Sequence, residues 1–264
     1  MVQKVFNRYE KKYLLNRAQY EEIRRRLSEY MEEDSYGLHT IRNIYYDTKD
    51  DELIRTSLEK PRYKEKFRVR CYGNGAADSS RFLEIKKKYQ GNVNKRRIVM
   101  SKEQAEDYLE RGIKPREESQ IFKEIDYVLH HYELEPKMYL AYDRIALFGK
   151  EDDQFRVTFD QNIRSRNEHL VLEDDTNTTR LLPEGSVLME VKIHQAMPLW
   201  FVRILTDLGI QSISFSKYGS AYKNNLQNDY YGYARIPVMP EAYGRVSAGA
   251  EPKEILEGKI AIGA

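Results

Sequence analysis

The sequence predicts an α+β protein: an eight-stranded antiparallel β-barrel with helices packed against its outside. Three observations lead there. Eight runs have strand character, several bounded by turn residues. Charged and apolar residues alternate along five of those runs, which places the two kinds on opposite faces. Two helical stretches carry apolar stripes that need a sheet face to cover. Eight strands suffice to close a small barrel, and closure removes exposed edges. An open sheet with helices on one face fits the strand pattern nearly as well.

The elements follow in order. A first strand spans about Val5–Leu15, and Asn16 with Gln19 has the capping-box spacing for a helix striped by Tyr20, Ile23, Leu27 and Tyr30. Strands are expected at Thr40–Asp47, Tyr63–Tyr72, Arg81–Tyr89 and Lys95–Met100. Turns fall at Gly73-Asn74-Gly75 and Gln90-Gly91-Asn92. Ser101 and Gln104 cap a helix ending at Gly112, and a second helix covers about Glu118–Tyr132 with Ile121, Ile125, Val128 and Leu129 on one stripe. Strands resume at Lys137–Phe148, Phe155–Asp160 and Val187–His194. Pro198 opens a helix, Gly209 follows its end, and a last helix covers Ser216–Asn225. Residues 1–231 read as one domain and 232–264, rich in Pro, Gly and Ala, as a loosely ordered tail.

Bulk composition narrows the function classes. Of 264 residues, 41% are hydrophobic and 33% charged, which suits a folded protein rather than a disordered one. The 44 basic and 42 acidic residues nearly cancel, so a uniform polycation for nucleic acid or membrane is excluded, and no nucleic-acid module is visible. Cys71 is the single cysteine, so no internal disulfide can form, in keeping with a reducing cytoplasm. The first residues have no apolar core of a signal peptide, and no apolar run approaches the roughly 18 residues of a membrane span.

The charges matter by position. Lys64, Lys66, Arg68 and Arg70 share one face of their strand, opposite Phe67, Val69 and Cys71. Glu84, Lys86 and Lys88 oppose Leu83 and Ile85; Arg8, Glu10 and Lys12 share a face. Arg156, Thr158 and Asp160 oppose Phe155, Val157 and Phe159, and Glu190 with Lys192 opposes Met189, Val191 and Ile193. Any one such strand reads as an ordinary solvated outer face. Four like charges in a row repel unless an anion lies among them, and helices covering the outside would turn the charged faces inward. Converging cations then suit a compact polyanion such as triphosphate. The minority carboxylates Glu10, Glu84 and Glu190 make sense if a hard divalent cation bridges them to phosphate oxygens. His130 and His131, adjacent on a helix, cannot share a face and read as surface or packing residues. His194 lies at a strand end on the charged face, and Cys71 falls on the apolar parity.

The same residues resemble a known family. Arg8-Tyr9-Glu10-Lys11-Lys12-Tyr13, Lys66-Phe67-Arg68-Val69-Arg70, Phe82-Leu83-Glu84-Ile85-Lys86 and Tyr142-Asp143-Arg144 look like the VTC domain. So do Arg156-Val157-Thr158-Phe159-Asp160, Met189-Glu190-Val191-Lys192 and Ser214-Phe215-Ser216-Lys217-Tyr218, over about Phe6–Tyr222. That domain is a polyphosphate polymerase and belongs to the triphosphate tunnel metalloenzymes, with the CYTH-type triphosphatases and adenylate cyclases. The resemblance implies ATP and inorganic polyphosphate or tripolyphosphate as partners and Mn²⁺ or Mg²⁺ as cofactor. It implies Arg68, Arg70, Lys86 and Lys217 as the catalytic set, and Lys12, Lys66, Lys95, Arg144, Arg156, Lys192 and Ser216 as phosphate binders. Glu190 would hold the metal, with Glu10 as second ligand. A tripolyphosphatase, a nucleoside triphosphatase and a non-catalytic polyphosphate-binding module remain alternatives. The eukaryotic pattern of a regulatory inositol-phosphate-sensing domain and membrane segments is missing from this sequence, which leaves a membrane partner protein conceivable. Gln3, Asn7 and Arg8 do not supply the earlier Glu of the CYTH paired-glutamate signature, which favours the VTC branch.

Overall fold

The computed structural model describes residues 9–73, 75, 80–90, 92–116, 119–194 and 196–231. The expectations for residues 5–8, Asn74, Gly91, Glu118 and the 232–264 tail lie outside these. In chain order come β1 (Tyr9–Leu15), α1 (Arg17–Leu27), β2 (Met31–Glu33), β3 (His39–Asp47), α2 (Glu52–Leu58) and β4 (Tyr63–Tyr72). Then follow β5 (Arg81–Tyr89), β6 (Asn92–Met100), α3 (Lys102–Arg111), α4 (Gln120–His131), β7 (Glu135–Gly149) and β8 (Arg156–Arg166). The chain continues through β9 (Thr179–Arg180), β10 (Val187–Ile193), α5 (Leu199–Asp207), β11 (Ser212–Ile213) and α6 (Lys217–Tyr231).

The eight expected strands are the eight long ones. The three extra, β2, β9 and β11, are two or three residues each. Both capping boxes form as their spacing requires: Asn16 with Gln19 opens α1, and Ser101 with Gln104 opens α3. Helix α2 carries no sequence signal of its own. Its N-cap, Asp51, makes no side-chain cap bond; instead Asp47, at the end of β3, accepts from Leu53 N and Ile54 N. A cap supplied from four residues upstream of the N-cap is invisible to local spacing rules.

All ladders are antiparallel, in the order β11-β1-β10-β8-β7-β3-β4-β5-β6, with β2 against β7 and β9 against β8. Among the described residues no ladder joins β6 to β1 or β11, so the barrel-like sheet is not closed by hydrogen bonds. It is strongly curled all the same: Glu10 Oε2 on β1 and Lys86 Nζ on β5 approach to 3.8 Å. Register shifts at Tyr45/Tyr46 and between Ala141 and Asp143 put irregularities into the middle strands, where bulges sharpen a sheet's bend.

Three apolar clusters hold the curl. Outside, α1 and α5 cover one half of the sheet: Ile23, Leu27, Phe201 and Ile204 pack on Tyr13, Val157, Phe159, Met189 and Val191. The other half lies under α3 and α4, whose Tyr108, Phe122, Ile125 and Val128 meet Phe67, Val69, Cys71, Leu83 and Ile85. Cys71 is a core residue, as its parity required. The third cluster is inside. Ile54 of α2 with Tyr218 and Ala221 of α6 packs on Ile41, Tyr45, Leu140, Tyr142 and Leu188. So four helices lie outside, while α2 and α6 fill one end of the curled sheet. Among the described residues no helix is long and apolar enough to cross a membrane.

Candidate functional site: a cationic tunnel

The inner face of β4 follows from its alternation: with Phe67 and Val69 buried outward, Lys66, Arg68 and Arg70 point into the curl. Direct cross-strand pairing extends the rows, Lys66 to Lys86 to Lys95 and Arg68 to Glu84 to Arg97. Glu84, 2% exposed, is the anion at the centre of this wall. It receives Arg68 at 2.7 Å, Lys95 at 2.7 Å and Arg97 at 2.5 Å, with Arg70 at 3.9 Å. Burial alone would raise its pKa, but Arg68, Arg70 and Lys95 outweigh it and hold it ionised, far below the ordinary value. Arg70 is fixed further by Asn43 Oδ1 at 2.9 Å and the Tyr142 hydroxyl at 3.1 Å; Arg68 donates to the Tyr45 hydroxyl at 3.0 Å.

The opposite floor comes from β1, β10, β8, β7 and the start of α6. Lys12, Glu190 and Thr158 lie in one cross-strand row. Glu190 meets Lys217 at 2.7 Å, Lys12 at 3.1 Å and Arg144 at 3.3 Å. Asp160, fully buried, takes two bonds from Arg144 at 2.6 and 2.7 Å and contacts Lys217 at 2.5 Å. Glu10 lies 3.4 Å from Lys12. Burial opposes the charge on Glu190, yet Lys217, Lys12 and Arg144 hold its carboxyl well below the usual range. Lys217 loses to burial but gains more from Asp160 and Glu190, so its pKa is raised.

Wall and floor enclose a cavity of about 530 Å³. Lys66, half-buried with its Nζ over the Tyr218 ring of the stacked Tyr45–Tyr218 pair, is pushed down to about 8 by desolvation. Burial likewise takes Lys95 down to about 8. Its side chain is 40% exposed, so solvent screens it and Lys66 is the better-defined titrating group. Burial pushes the Tyr45 phenol up, but Arg68, Lys66 and Arg70 prevail and bring it to about 8. A second hollow, about 640 Å³, lies on the outer side between β1 and α5; Lys11 is its single charged residue. Polyanion chemistry therefore belongs inside.

The structure brings together Glu10, Lys12, Lys66, Arg68, Arg70, Lys86, Lys95, Arg144, Glu190, Lys192, Ser216 and Lys217, all lining the one cavity. Arg156 stands apart: it is exposed, and its Nε donates to Asp153 O at 3.5 Å. Ser216 caps α6, accepting from Gly219 N at 3.1 Å, with Lys66 Nζ at 3.3 Å. Sequence reasoning missed Arg97, Asp160, Tyr45 and Tyr142. Arg97 shares parity with Lys95 and could have been found; Asp160 was on a recognised face but without a partner in view. The two tyrosines carry no charge pattern to flag them.

A divalent cation fits this donor set in a limited way. Among the described residues no group of three or more His, Cys, Asp or Glu could hold a metal unaided. Lys12 bridges Glu10 and Glu190, so a positive charge already lies between the two carboxylates. One or two carboxylates plus substrate phosphate oxygens is the usual protein share for Mg²⁺.

The fold is shared at a TM-score of 0.50 with an adenylyl cyclase candidate from Hippeastrum, described as having a dominant triphosphatase activity. That protein is 15% identical, with 81% of this chain and 94% of that one covered. A candidate adenylate cyclase from Bacillus halodurans gives 0.47 at 15% identity over 78% of this chain and 92% of that one. One from Vibrio parahaemolyticus gives 0.46 at 11% over 83% and 99%. No curated protein matches the sequence. The VTC domain family matches residues 7–225, most of the chain and every strand of the tunnel, and this protein belongs to it.

Proposed function

We propose that the tunnel is the active site of a metal-dependent phosphotransferase that moves the γ-phosphoryl group of ATP onto a growing inorganic polyphosphate, releasing ADP. The observation that carries this reading is the imbalance of the β4–β6 wall. Five cations (Lys66, Arg68, Arg70, Lys86 and Lys95) line the cavity with one carboxylate, Glu84, and a sixth, Arg97, pairs with that carboxylate. Such a surface wants a multiply charged anion, and the arginines can fork onto its oxygens. Phosphoryl transfer needs positioning and charge neutralisation more than covalent help. Arg68 and Arg70, each anchored at two points, hold the donor phosphates in line, while Lys86 and Lys95 reach over them. Lys217, at the N-terminus of α6, faces the transferred group, where free N–H groups also favour an anion. A terminal phosphate acceptor is already anionic, so no side chain has to act as base. When bound at Glu190, with Glu10 nearby, Mn²⁺ or Mg²⁺ supplies charge neutralisation to the phosphate oxygens.

Hydrolysis by the same tunnel is the second reading, favoured by the triphosphatase activity of the Hippeastrum relative. Incubation of the purified chain with ATP and Mn²⁺ separates the two. The polymerase yields long-chain polyphosphate and ADP, lost in Glu190→Gln and Arg68→Ala. Free phosphate without polymer makes the protein a hydrolase. Tight tripolyphosphate binding without turnover makes it a binding module.

A further inference from the structure

Thr158 is the anomaly of the floor. It lies on β8 directly opposite Glu190 of β10, between Arg156 and Asp160 in its own strand. Opposed residues of an antiparallel pair share a face, with Cβ atoms about 5 Å apart. Its hydroxyl therefore stands on the same side of the sheet as the Glu190 carboxylate. Thr158 is 5% exposed, and its Oγ1 has no hydrogen-bond partner. A threonine can serve as a valine-shaped strand former on an apolar face. This one is on the charged face. An unpartnered buried hydroxyl is costly, and such groups in native proteins call for an unseen water or ion. On its other flank the opposed residue is Ala146, which has no side-chain polar atom. Of its two cross-strand neighbours, only Glu190 carries a polar side chain.

The surrounding charges leave room for one. Glu190 is held by Lys217, Lys12 and Arg144, and two of these, Lys217 and Arg144, also contact Asp160. Arg144 gives Asp160 its two short bonds and reaches Glu190 only at 3.3 Å. These cations have a second carboxylate to rest on if Glu190 turns to another charge. We propose that Glu190 and Thr158 together make an oxygen site for a divalent cation, the threonine hydroxyl serving as a neutral donor beside the carboxylate. Asp160 is the counter-ion that takes over Arg144 and Lys217 when the site fills. Carboxylate, hydroxyl and phosphate oxygens are the hard donors that Mg²⁺ and Mn²⁺ prefer. This inference rests on the metal-dependent reading above and adds a ligand to it.

The test uses the full chain and Mn²⁺ alone, without nucleotide, following the free Mn²⁺ electron paramagnetic resonance signal during titration. Thr158→Val should weaken binding at least about tenfold, the scale on which loss of a supporting group acts. Its metal-free melting temperature should be unchanged or higher, since an unpartnered hydroxyl has been removed. Thr158→Ser should bind within about twofold of wild type by the same reasoning, and Glu190→Gln should lose the site. Wild-type affinity in Thr158→Val with loss in Glu190→Gln overturns the threonine ligand and leaves the metal reading standing. Equal loss in the Val and Ser variants means a packing role and also overturns it. No Mn²⁺ bound by the wild-type chain defeats both.

Discussion

The two sides of the tunnel are built from the same residue types to different ends. On the β4–β6 wall, four cations (Arg68, Arg70, Lys95 and Arg97) share one buried carboxylate, Glu84, and Lys66 and Lys86 stand beside them. On the β1–β10–β8 floor, Lys12, Arg144, Lys192 and Lys217 stand among Glu10, Asp160 and Glu190, close to neutral. The wall carries surplus charge that a polyanion can satisfy. The floor is a nearly satisfied ionic lattice, the setting of the cation exchange proposed above. A tunnel of uniform positive charge would bind phosphate without a place for a metal. A uniformly balanced one would bind neither well.

The most damaging way to break this comparison is to remove the one anion of the wall. Glu84→Gln leaves three close cations around a buried site, and should lower unfolding free energy by about 3 kcal/mol in a ligand-free denaturant melt. Tripolyphosphate should restore much of it, because the ligand replaces the lost charge. A melt unchanged by the substitution would mean that solvent already neutralises the wall.

Next in size, Arg68→Ala should weaken metal-free tripolyphosphate binding by roughly 10- to 100-fold in calorimetry, the worth of a charged hydrogen-bonding group. Glu190→Gln should leave that metal-free affinity unchanged or tighter. Equal losses would erase the division between wall and floor.

The pH dependence sharpens the wall's part in it. Lys66 has its pKa lowered to about 8, so it is charged below that pH and neutral above it. Binding of a polyanion favours the charged form. Affinity should therefore fall on the order of tenfold between pH 7 and 9, and Lys66→Arg, which stays charged, should flatten the profile. For stability the sign is opposite. The unfolded lysine binds a proton more tightly than the folded one, so between about pH 8 and its ordinary value near 10.5 the ligand-free protein gains stability as pH rises. Smallest of all, Arg156→Ala should change tripolyphosphate affinity by less than about twofold, since an exposed side chain bonded to a loop carbonyl contributes little.

Much of this was legible before any tertiary contact was known. The parity of Lys66, Arg68 and Arg70 against Phe67 and Val69 gave the wall, because a strand offers only two faces. The Asn16–Gln19 and Ser101–Gln104 spacings gave two helix starts, because capping is local. Arg156 shows the limit of the same rule. It shares parity with Thr158 and Asp160, but as the first residue of β8 it is exposed and bonded to a loop carbonyl, and parity says nothing about where along a strand the tunnel opens. Helix α2 was missed because its cap comes from Asp47 in the preceding strand.

The sequence by itself determined which faces of the strands are charged, how many long strands there are, and that helices must cover the apolar side. All of these follow from periodicity within single elements. Only the tertiary structure decided which charges neutralise one another. Glu84 and Asp160 carry the same carboxylate, yet one is the lone anion of a cationic wall and the other a counter-ion inside a balanced floor. That difference comes from strands distant in sequence, and from α6 entering the end of the curl to place Lys217 between Asp160 and Glu190. Coulomb interactions act through space over a few ångströms, and no local pattern in the chain encodes who the neighbour will be.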